Sequence, residues 1–275
     1  VTSVALIATT YNRPDALAAV LDGLLAQRLS GPDCTGLEVL IADDGSGDDT
    51  RRLIAAYAQR APFPLRHIWQ EDLGFRPGAA RNRALAATAA EYIIFIDGDC
   101  VPPPDFVRRH LALAERGWFL GGNRILLSER FTRRALAARL PLHAWGGGQW
   151  LLAWLRRDIN RLLPLLRLPD GGFRRRSPGQ WRGIKSCNLA AWRDDLVRVN
   201  GFDEAYSGWG LEDSDLVIRL IHAGVRHKSA RFATPLFHLW HRENDRSRLP
   251  ENQQRLEALL ASPSVVAQRG LDQYP

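Results

Sequence analysis

The sequence predicts an α/β fold built on a single open, mostly parallel sheet with helices on both faces. Three observations carry that expectation. Apolar strand-like runs alternate with Ala-rich helical stretches through the first hundred residues, and polar or acidic residues follow directly after the strands. No G-x-G-x-x-G or G-x-x-x-x-G-K-[ST] loop follows any strand, which sets aside the dinucleotide and P-loop forms of such a sheet.

Taken in order, residues 4–8, 37–42, 65–69 and 92–96 read as strands, and 14–28, 49–60 and 78–90 as helices. Pro14 suits a first helical turn, and Ser46 with Asp49 resembles a capping box for the second helix. Strand, helix, strand at this spacing requires right-handed crossovers between parallel strands, and ligands of such sheets gather at the strands' carboxyl ends. After Pro102-Pro103-Pro104 the spacing predicts a helix over 105–116 and short strands over 118–120 and 124–127. Beyond them come a helix over 212–222, a strand-like run over 232–239 and a polar helix over 251–260. The chain thus divides into a first half (1–100), a second half (101–245) that includes a basic, tryptophan-rich stretch (130–182), and a helical tail (246–275).

Composition narrows the function classes. Of the 275 residues 45% are apolar and 24% charged, as in a globular protein, and no apolar run reaches the ~20 residues of a membrane-spanning helix. The chain opens on a strand-like run without a basic start or cleavage site, so no secretory signal is expected. Cys34, Cys100 and Cys187 lie too far apart to read as a disulfide framework or a zinc site, and a reducing cytoplasm is the expected compartment. The net charge of +7 is local: residues 130–182 hold twelve arginines against Asp158 and Asp170. A nucleic-acid protein would spread its basic groups along a binding face within a recognisable module, so no nucleic-acid partner is expected.

The residues that carry chemistry follow the strands. Asp97-Gly98-Asp99 closes a buried strand, and two carboxylates side by side at a sheet edge repel unless they share a cation. Oxygen ligands beside a phosphate suit Mg²⁺ or Mn²⁺; an acidic turn explains the same residues without a metal. Asp43-Asp44-Gly45-Ser46 is turn chemistry that gains weight from sharing this edge. The stretch from Gly74 to Asn82 brings Arg76 and Arg81 to a helix N-terminus, where they either meet phosphate or lie solvated. In Trp209-Gly210-Leu211-Glu212-Asp213-Ser214-Asp215, three carboxylates crowd one helical turn; capping accounts for one or two of them. The aromatic, glycine-rich approach from Tyr206 reads as a sugar-stacking surface leading to a carboxylate. His238 and His241 face opposite sides of a strand unless the chain turns there, and either alone reads most simply as a structural histidine. One of them near Asp99 would make a mixed nitrogen and oxygen site that leans toward Mn²⁺.

Together and in this order, ATTYNRP, IADDGSGDDT, GFRPGAARNRA, IDGDC and NGFDEAYSGWGLEDSDL resemble a family 2 glycosyltransferase of the GT-A fold, whose sheet is Rossmann-like. The latter half resembles the galactosyltransferase-type C-terminal region of β-1,4-galactosyltransferases and bacterial chondroitin-type polymerases. The resemblance covers residues 1–125 and 183–245 and misses the basic stretch. It implies inverting, metal-dependent transfer of a hexose, Gal or GalNAc, from a UDP-sugar to a saccharide acceptor, with nucleotide-sugar binding in the first half. By resemblance, Thr9, Tyr11, Arg13, Asp43, Asp44, Arg76 and Arg81 hold the uridine and diphosphate, Asp97 reaches the ribose or metal, and Asp99 binds the metal. His238 and His241 stand where β-1,4-galactosyltransferases present Met-x-x-His. Trp209, Gly210 and Glu212 line the sugar site, and Asp213 is the catalytic base. Related retaining enzymes carry Asn after the Glu, so Asp213 points to inversion.

Two readings of residues 130–182 stand side by side. Trp145, Trp150, Trp154 and Trp181 interleave with the arginines, and the run from Trp150 through Ile159 to Leu168 has the composition of a helix lying on an anionic membrane surface. The same residues suit an acceptor-side subdomain whose apolar side chains pack inward. The lipid-facing reading places the protein at the inner face of the cytoplasmic membrane, building a surface glycan such as lipopolysaccharide or capsule on a lipid carrier. Two rivals remain. A sugar nucleotidyltransferase should show a glycine-rich loop where Thr10-Tyr11-Asn12-Arg13 stands, and a non-catalytic nucleotide-sugar-binding protein shares the fold without turnover.

Overall fold

The computed structural model describes residues 2–29, 36–242 and 245–274; Cys34 lies outside them. Its first half is β1 (Val4–Thr10), α1 (Pro14–Leu25), β2 (Leu37–Asp43), α2 (Asp48–Ala58), β3 (Leu65–Trp69), α3 (Pro77–Ala86) and β4 (Tyr92–Asp97). There follow β5 (Cys100–Val101), α4 (Phe106–Leu113), β6 (Trp118–Gly121), β7 (Asn123–Leu126), α5 (Glu129–Ala137) and α6 (Gly147–Leu155). The chain closes with β8 (Asn188–Trp192), α7 (Arg193–Arg198), α8 (Glu212–His222), β9 (Arg226–Ser229), β10 (Pro235–His238) and α9 (Leu249–Leu260).

The main sheet has the order β3-β2-β1-β4-β8-β6-β9. Its first four strands are parallel, β8 runs antiparallel to both β4 and β6, and β9 is parallel to β6. This is the expected mostly parallel sheet, and its central strands β1, β2, β4 and β8 are apolar and buried under helices on both faces. In β1 the side chains alternate: Val4, Leu6 and Ala8 pack with Leu17, Leu21 and Leu24 of α1, while Ala5 and Ile7 face Ala80 and Ala84 of α3 and Leu216 of α8.

A second, three-stranded sheet, β5-β10-β7, adds to the single sheet expected. Cys100 of β5 lies opposite His238 of β10, which brings a distant histidine beside the end of β4. Asn188 ties the two sheets: its Nδ2 donates to the carbonyls of Asn123 (2.9 Å) and Thr234 (2.6 Å), and its Oδ1 accepts from the buried ring of His110 at 3.1 Å.

Three local expectations are corrected. Ser46 and Asp49 form no capping box, since α2 starts after Gly47 without a side-chain cap. The Ser46 hydroxyl instead accepts from the Asn12 amide at 2.8 Å, tying the β2 loop to the β1 loop. The helix expected to run on to Leu168 stops at Leu155: Arg157 takes a left-handed backbone (φ 58°), and the Asp158 amide folds back onto Ala153 at 2.8 Å. The strands β8 and β9 were not legible from spacing, β9 because Arg226-His227-Lys228-Ser229 has no apolar pattern.

Part of the basic stretch is interior. Trp150 is 2% exposed and lies flat on Phe237, ring centroids 4.0 Å apart at 12°. Arg130 and Arg134 converge on the buried Asp158 at 2.8 and 3.2 Å. Arg174, also buried, donates to the backbone carbonyls of Leu168, Pro169, Ser229 and Arg231.

Two stability predictions follow from this packing. Trp150→Ala removes a fully buried indole and is expected to cost about 3–5 kcal/mol, whereas the half-exposed Trp154→Ala should stay within about 1 kcal/mol; urea unfolding of both measures the contrast. Burial holds His110 neutral in the fold, its pKa lowered to about 3, while the unfolded chain takes up that proton near pH 6.5. The stability this residue contributes is therefore complete above pH 6.5 and lost as the pH falls toward 3, about 2 kcal/mol of it by pH 5. His110→Gln, which still donates to Asn188, should lack that share of the acid loss in unfolding curves at pH 7 and pH 5.

Candidate active site

The ends of β1, β2 and β4 are sewn together by backbone: the Asp44 amide donates to Thr10 (3.0 Å) and the Gly98 amide to Thr9 (2.7 Å). Position 98 must be glycine, since a Cβ there would sit 2.9 Å from the Thr9 carbonyl oxygen. The first acidic pair lies beneath this edge. Asp43 is fully buried, with one oxygen accepting from the Ser46 amide at 2.8 Å and the other 2.7 Å from His67 Nε2. Asp44 accepts from Gln70 Nε2 and the Arg76 amide, both at 2.6 Å, and burial pushes its carboxyl up. Above them, Tyr11 is exposed with its hydroxyl 2.8 Å from Asp72, and Arg13 pairs with Asp15 at 3.0 Å. So the structure gathers Thr9, Tyr11, Asp44 and Arg76 around one loop cluster and leaves Asp43 inside it.

Arg81 departs from the expected phosphate contact. It is 3% exposed, and each nitrogen of its fork has a partner from a different element. Nε donates to Thr9 Oγ1 of β1 at 3.0 Å, Nη2 to Asp97 Oδ1 of β4 at 3.0 Å, and Nη1 to Glu212 Oε1 of α8 at 3.1 Å. The physical reason is local charge: Asp97, Glu212 and Asp213 all act on this guanidinium, and carboxylates this close need a shared cation. Its neighbour Asn82 secures the same join, donating to the Phe202 carbonyl at 2.8 Å and to Glu204 at 2.9 Å.

Asp99 faces both histidines. His238 Nε2 lies 3.6 Å from Oδ1 and His241 Nε2 lies 3.5 Å from Oδ2. The chain leaves β10 at His238, so the two rings no longer point apart; their centroids are 5.3 Å from each other. His241 Nδ1 donates to the carbonyl of its neighbour Arg242 at 2.7 Å, which orients the ring with Nε2 toward Asp99. Burial lowers His238, keeping it neutral. Two imidazole nitrogens converging on one carboxylate suit a divalent cation. Cys100 and Cys187, distant in sequence, also meet here: Asp97, Cys100 and Cys187 bring ligand atoms within 4.8 Å of one another, as do Asp99, Cys100 and His238. Burial pushes the Cys100 thiol well up, and the carboxylates and imidazoles beside it are groups that could hold a divalent cation.

At the opposite side of Arg81, α8 opens after Leu211, whose φ of 77° turns the chain sharply into the helix. Burial and the adjacent Asp213 push the Glu212 carboxyl up, against the pull of Arg81. Asp213 is 6% exposed, and its Oδ1 accepts from the Ser214 amide at 2.8 Å and lies 3.5 Å from Lys185 Nζ. Asp215 serves the core instead, bonded to the buried Arg219 at 2.7 Å. Trp209 is half-buried with Arg246 over its ring at 4.6 Å, so one face of the expected stacking surface is occupied. Asn252 of α9 holds this loop through the carbonyls of Ser207 (3.1 Å) and Gly210 (3.0 Å), which gives the polar tail a structural task.

Sequence reading missed Lys185 and Arg124. Arg124 on β7 donates to Cys187 Sγ at 3.6 Å, and its charge acts on Asp97 and His238. For Lys185 a signal existed, because the chain has only two lysines among 37 basic residues and the other, Lys228, is buried against Glu115 and Asp170.

Comparison with known proteins identifies the family and the fold. The model of glycosyl transferase family 2 matches residues 5–173, and the model described as the N-terminal domain of galactosyltransferase matches residues 174–242. The chain is 29% identical over 231 residues to validoxylamine A glucosyltransferase of Streptomyces hygroscopicus subsp. limoneus, covering 78% of this chain and 47% of that protein. It spans about half or less of the length of the curated relatives it matches first. The solved structure of S. aureus TarS 1–349 with UDP superposes with a TM-score of 0.61 at 15% identity, over 99% of this chain and 68% of that one. Mannosyltransferase PcManGT from Pyrobaculum calidifontis, with GDP-Man and Mn²⁺, gives 0.56 at 19% identity, over 88% of this chain and 58% of that one.

Arg81→Met would leave the partly buried carboxylates of Asp97 and Glu212 without their common cation. Breaking such a pair costs about 3–5 kcal/mol, so the variant should unfold at markedly lower urea concentration. A stability within about 1 kcal/mol of the parent would mean that the bridge is not what joins α8 to the sheet.

Proposed function

The chain belongs to glycosyl transferase family 2, and on that premise we propose that it is an inverting, metal-dependent glycosyltransferase. It moves a hexose of the galactose or N-acetylgalactosamine type from a UDP-sugar to a saccharide acceptor. The observation that carries this reading is the Arg81 bridge, which sets the Asp97 edge and the Glu212-Asp213 turn on two sides of one buried cation. The UDP complex of the TarS neighbour supports the nucleotide, the Mn²⁺ complex of the mannosyltransferase neighbour supports the ion, and the galactosyltransferase match over residues 174–242 supports the sugar.

In this reading Thr9, Tyr11, Arg13, Asp44 and Arg76 form the nucleotide end, with Asp43 bracing their loops from below. Asp97, Asp99, His238 and His241 hold Mn²⁺ or Mg²⁺, which when bound neutralises charge on the leaving diphosphate. Trp209, Gly210 and Glu212 border the sugar and acceptor. Asp213 takes the proton of the acceptor hydroxyl as that oxygen bonds to C1. The C1–O bond to the diphosphate breaks on the opposite face with its electron pair leaving on UDP, so an α-linked donor gives a β-linked product. Lys185 Nζ stands 3.5 Å from Asp213 Oδ1 on this side of the site. The acceptor belongs to a bacterial surface glycan such as lipopolysaccharide or capsule, a reading supported by the resemblance of the second half to chondroitin-type polymerases.

Asp213→Asn keeps the shape and removes the base. Transfer is expected to fall ~10²- to 10⁴-fold while UDP binding persists, and NMR of the wild-type product should show a β linkage. An α-linked product, or near-normal turnover in Asp213→Asn, would reassign the base. Asp99→Ala should abolish the Mn²⁺ dependence of UDP binding measured by calorimetry; binding equally tight with and without the ion in both proteins would remove the metal from the proposal. A purified chain that binds UDP-sugars but never turns over with any acceptor or water favours the non-catalytic binding protein.

A further inference from the structure

Helix α6 has an apolar side too many. At ~100° per residue, Trp150 and Ala153 share the side that packs on the core, and Leu151, Leu152 and Leu155 fall in the opposite arc. Those three leucines are 45%, 46% and 63% exposed, where a helix of a water-facing domain would carry polar residues. The apolar surface continues beyond the helix. Trp154 and Leu155 border an open groove of about 580 Å³ together with Leu126, itself exposed on β7, and the loop that follows exposes Leu163 and Leu166.

Charge surrounds this surface with one sign. Arg156, Arg157 and Arg161 are exposed, and their side chains enter no ion pair among the described residues. The carboxylate next to them in sequence, Asp158, is buried and engaged by Arg130 and Arg134 instead. Exposed leucines and an indole ringed by unpaired guanidinium groups match the boundary of a bilayer, where acyl chains lie beneath phosphates. No helix among the described residues is long and apolar enough to cross a membrane, so the contact is with its surface.

We propose that the outer face of α6, with the 156–168 loop, docks on the surface of an anionic lipid bilayer. The docking face is rigidly joined to the candidate active site: on the other side of α6, Trp150 stacks on Phe237, the residue before His238. Binding therefore sets the orientation of the metal side of the site relative to the membrane. The inference is independent of the transfer reaction, since it needs only the surface.

The test is flotation of the chain with phosphatidylcholine vesicles, with and without phosphatidylglycerol, at low and high salt. Binding to the anionic vesicles at low salt, weakened by added salt, is expected. The pairs Leu151→Gln with Leu155→Gln, and Arg156→Glu with Arg157→Glu, should each reduce the bound fraction by about tenfold or more and leave UDP affinity unchanged. Three results would overturn the proposal: no flotation at low salt, flotation retained by both variant pairs, or concentration-dependent self-association abolished by the leucine pair without vesicle binding, which would assign the face to a second copy. Loss of UDP binding in the unaltered chain would count against the transfer reaction and leave the docking result standing.

Discussion

Arg81 is a cation taken out of water, and its desolvation is tolerable only because three oxygens from three elements meet it. That requirement couples regions more than a hundred residues apart. The strand ends that carry Thr9 and Asp97 cannot shift against the first turn of α8 without stranding a buried charge. Asn82, one position along α3, fastens the loop leading into α8 through Phe202 and Glu204, so both joins depend on the same helix. The close approach is steric as well: Gly201, with φ 65°, would place a Cβ 2.4 Å from Asn82 Oδ1.

The Asp99 side of the site rests on a different constraint, the register of a short sheet. Pairing of His238 with Cys100 sets an imidazole beside Asp99, and the chain's departure from β10 brings His241 to the second carboxylate oxygen. Burial lowers the pKa of His238, and the bond to the Arg242 carbonyl orients the ring of His241. Asn188 fixes this small sheet to the large one, so the two sides of the site are held by separate polar links through a common framework.

The basic stretch shows how a charge excess can mislead when read as surface. Arg174 is as buried as a core phenylalanine and bonds to backbone carbonyls, and Arg175 joins Lys228 in neutralising Glu115 and Asp170. Arginine suits these places because its planar fork satisfies several acceptors at once and its charge is never lost. The inward-packing reading describes one part of this stretch: Trp145 and Trp150 belong to the core cluster, while Leu151 and Leu155 lie outside it.

The sequence by itself determined the alternation of strands and helices in the first half, the position of the acidic edge after β4 and the α8 turn with its three carboxylates. Those features are local: apolar runs, helical starts and turn residues sit within a few positions of what they specify. It also marked the five motif stretches by which the family is recognised. What only the tertiary structure decided is which of those groups touch. Arg81 reads the same in sequence whether it meets phosphate or two carboxylates, and the choice falls to burial. Neither the pairing of Cys100 with His238 nor the approach of Lys185 to Asp213 leaves a trace in spacing, because strand register and side-chain desolvation are set by contacts between distant segments.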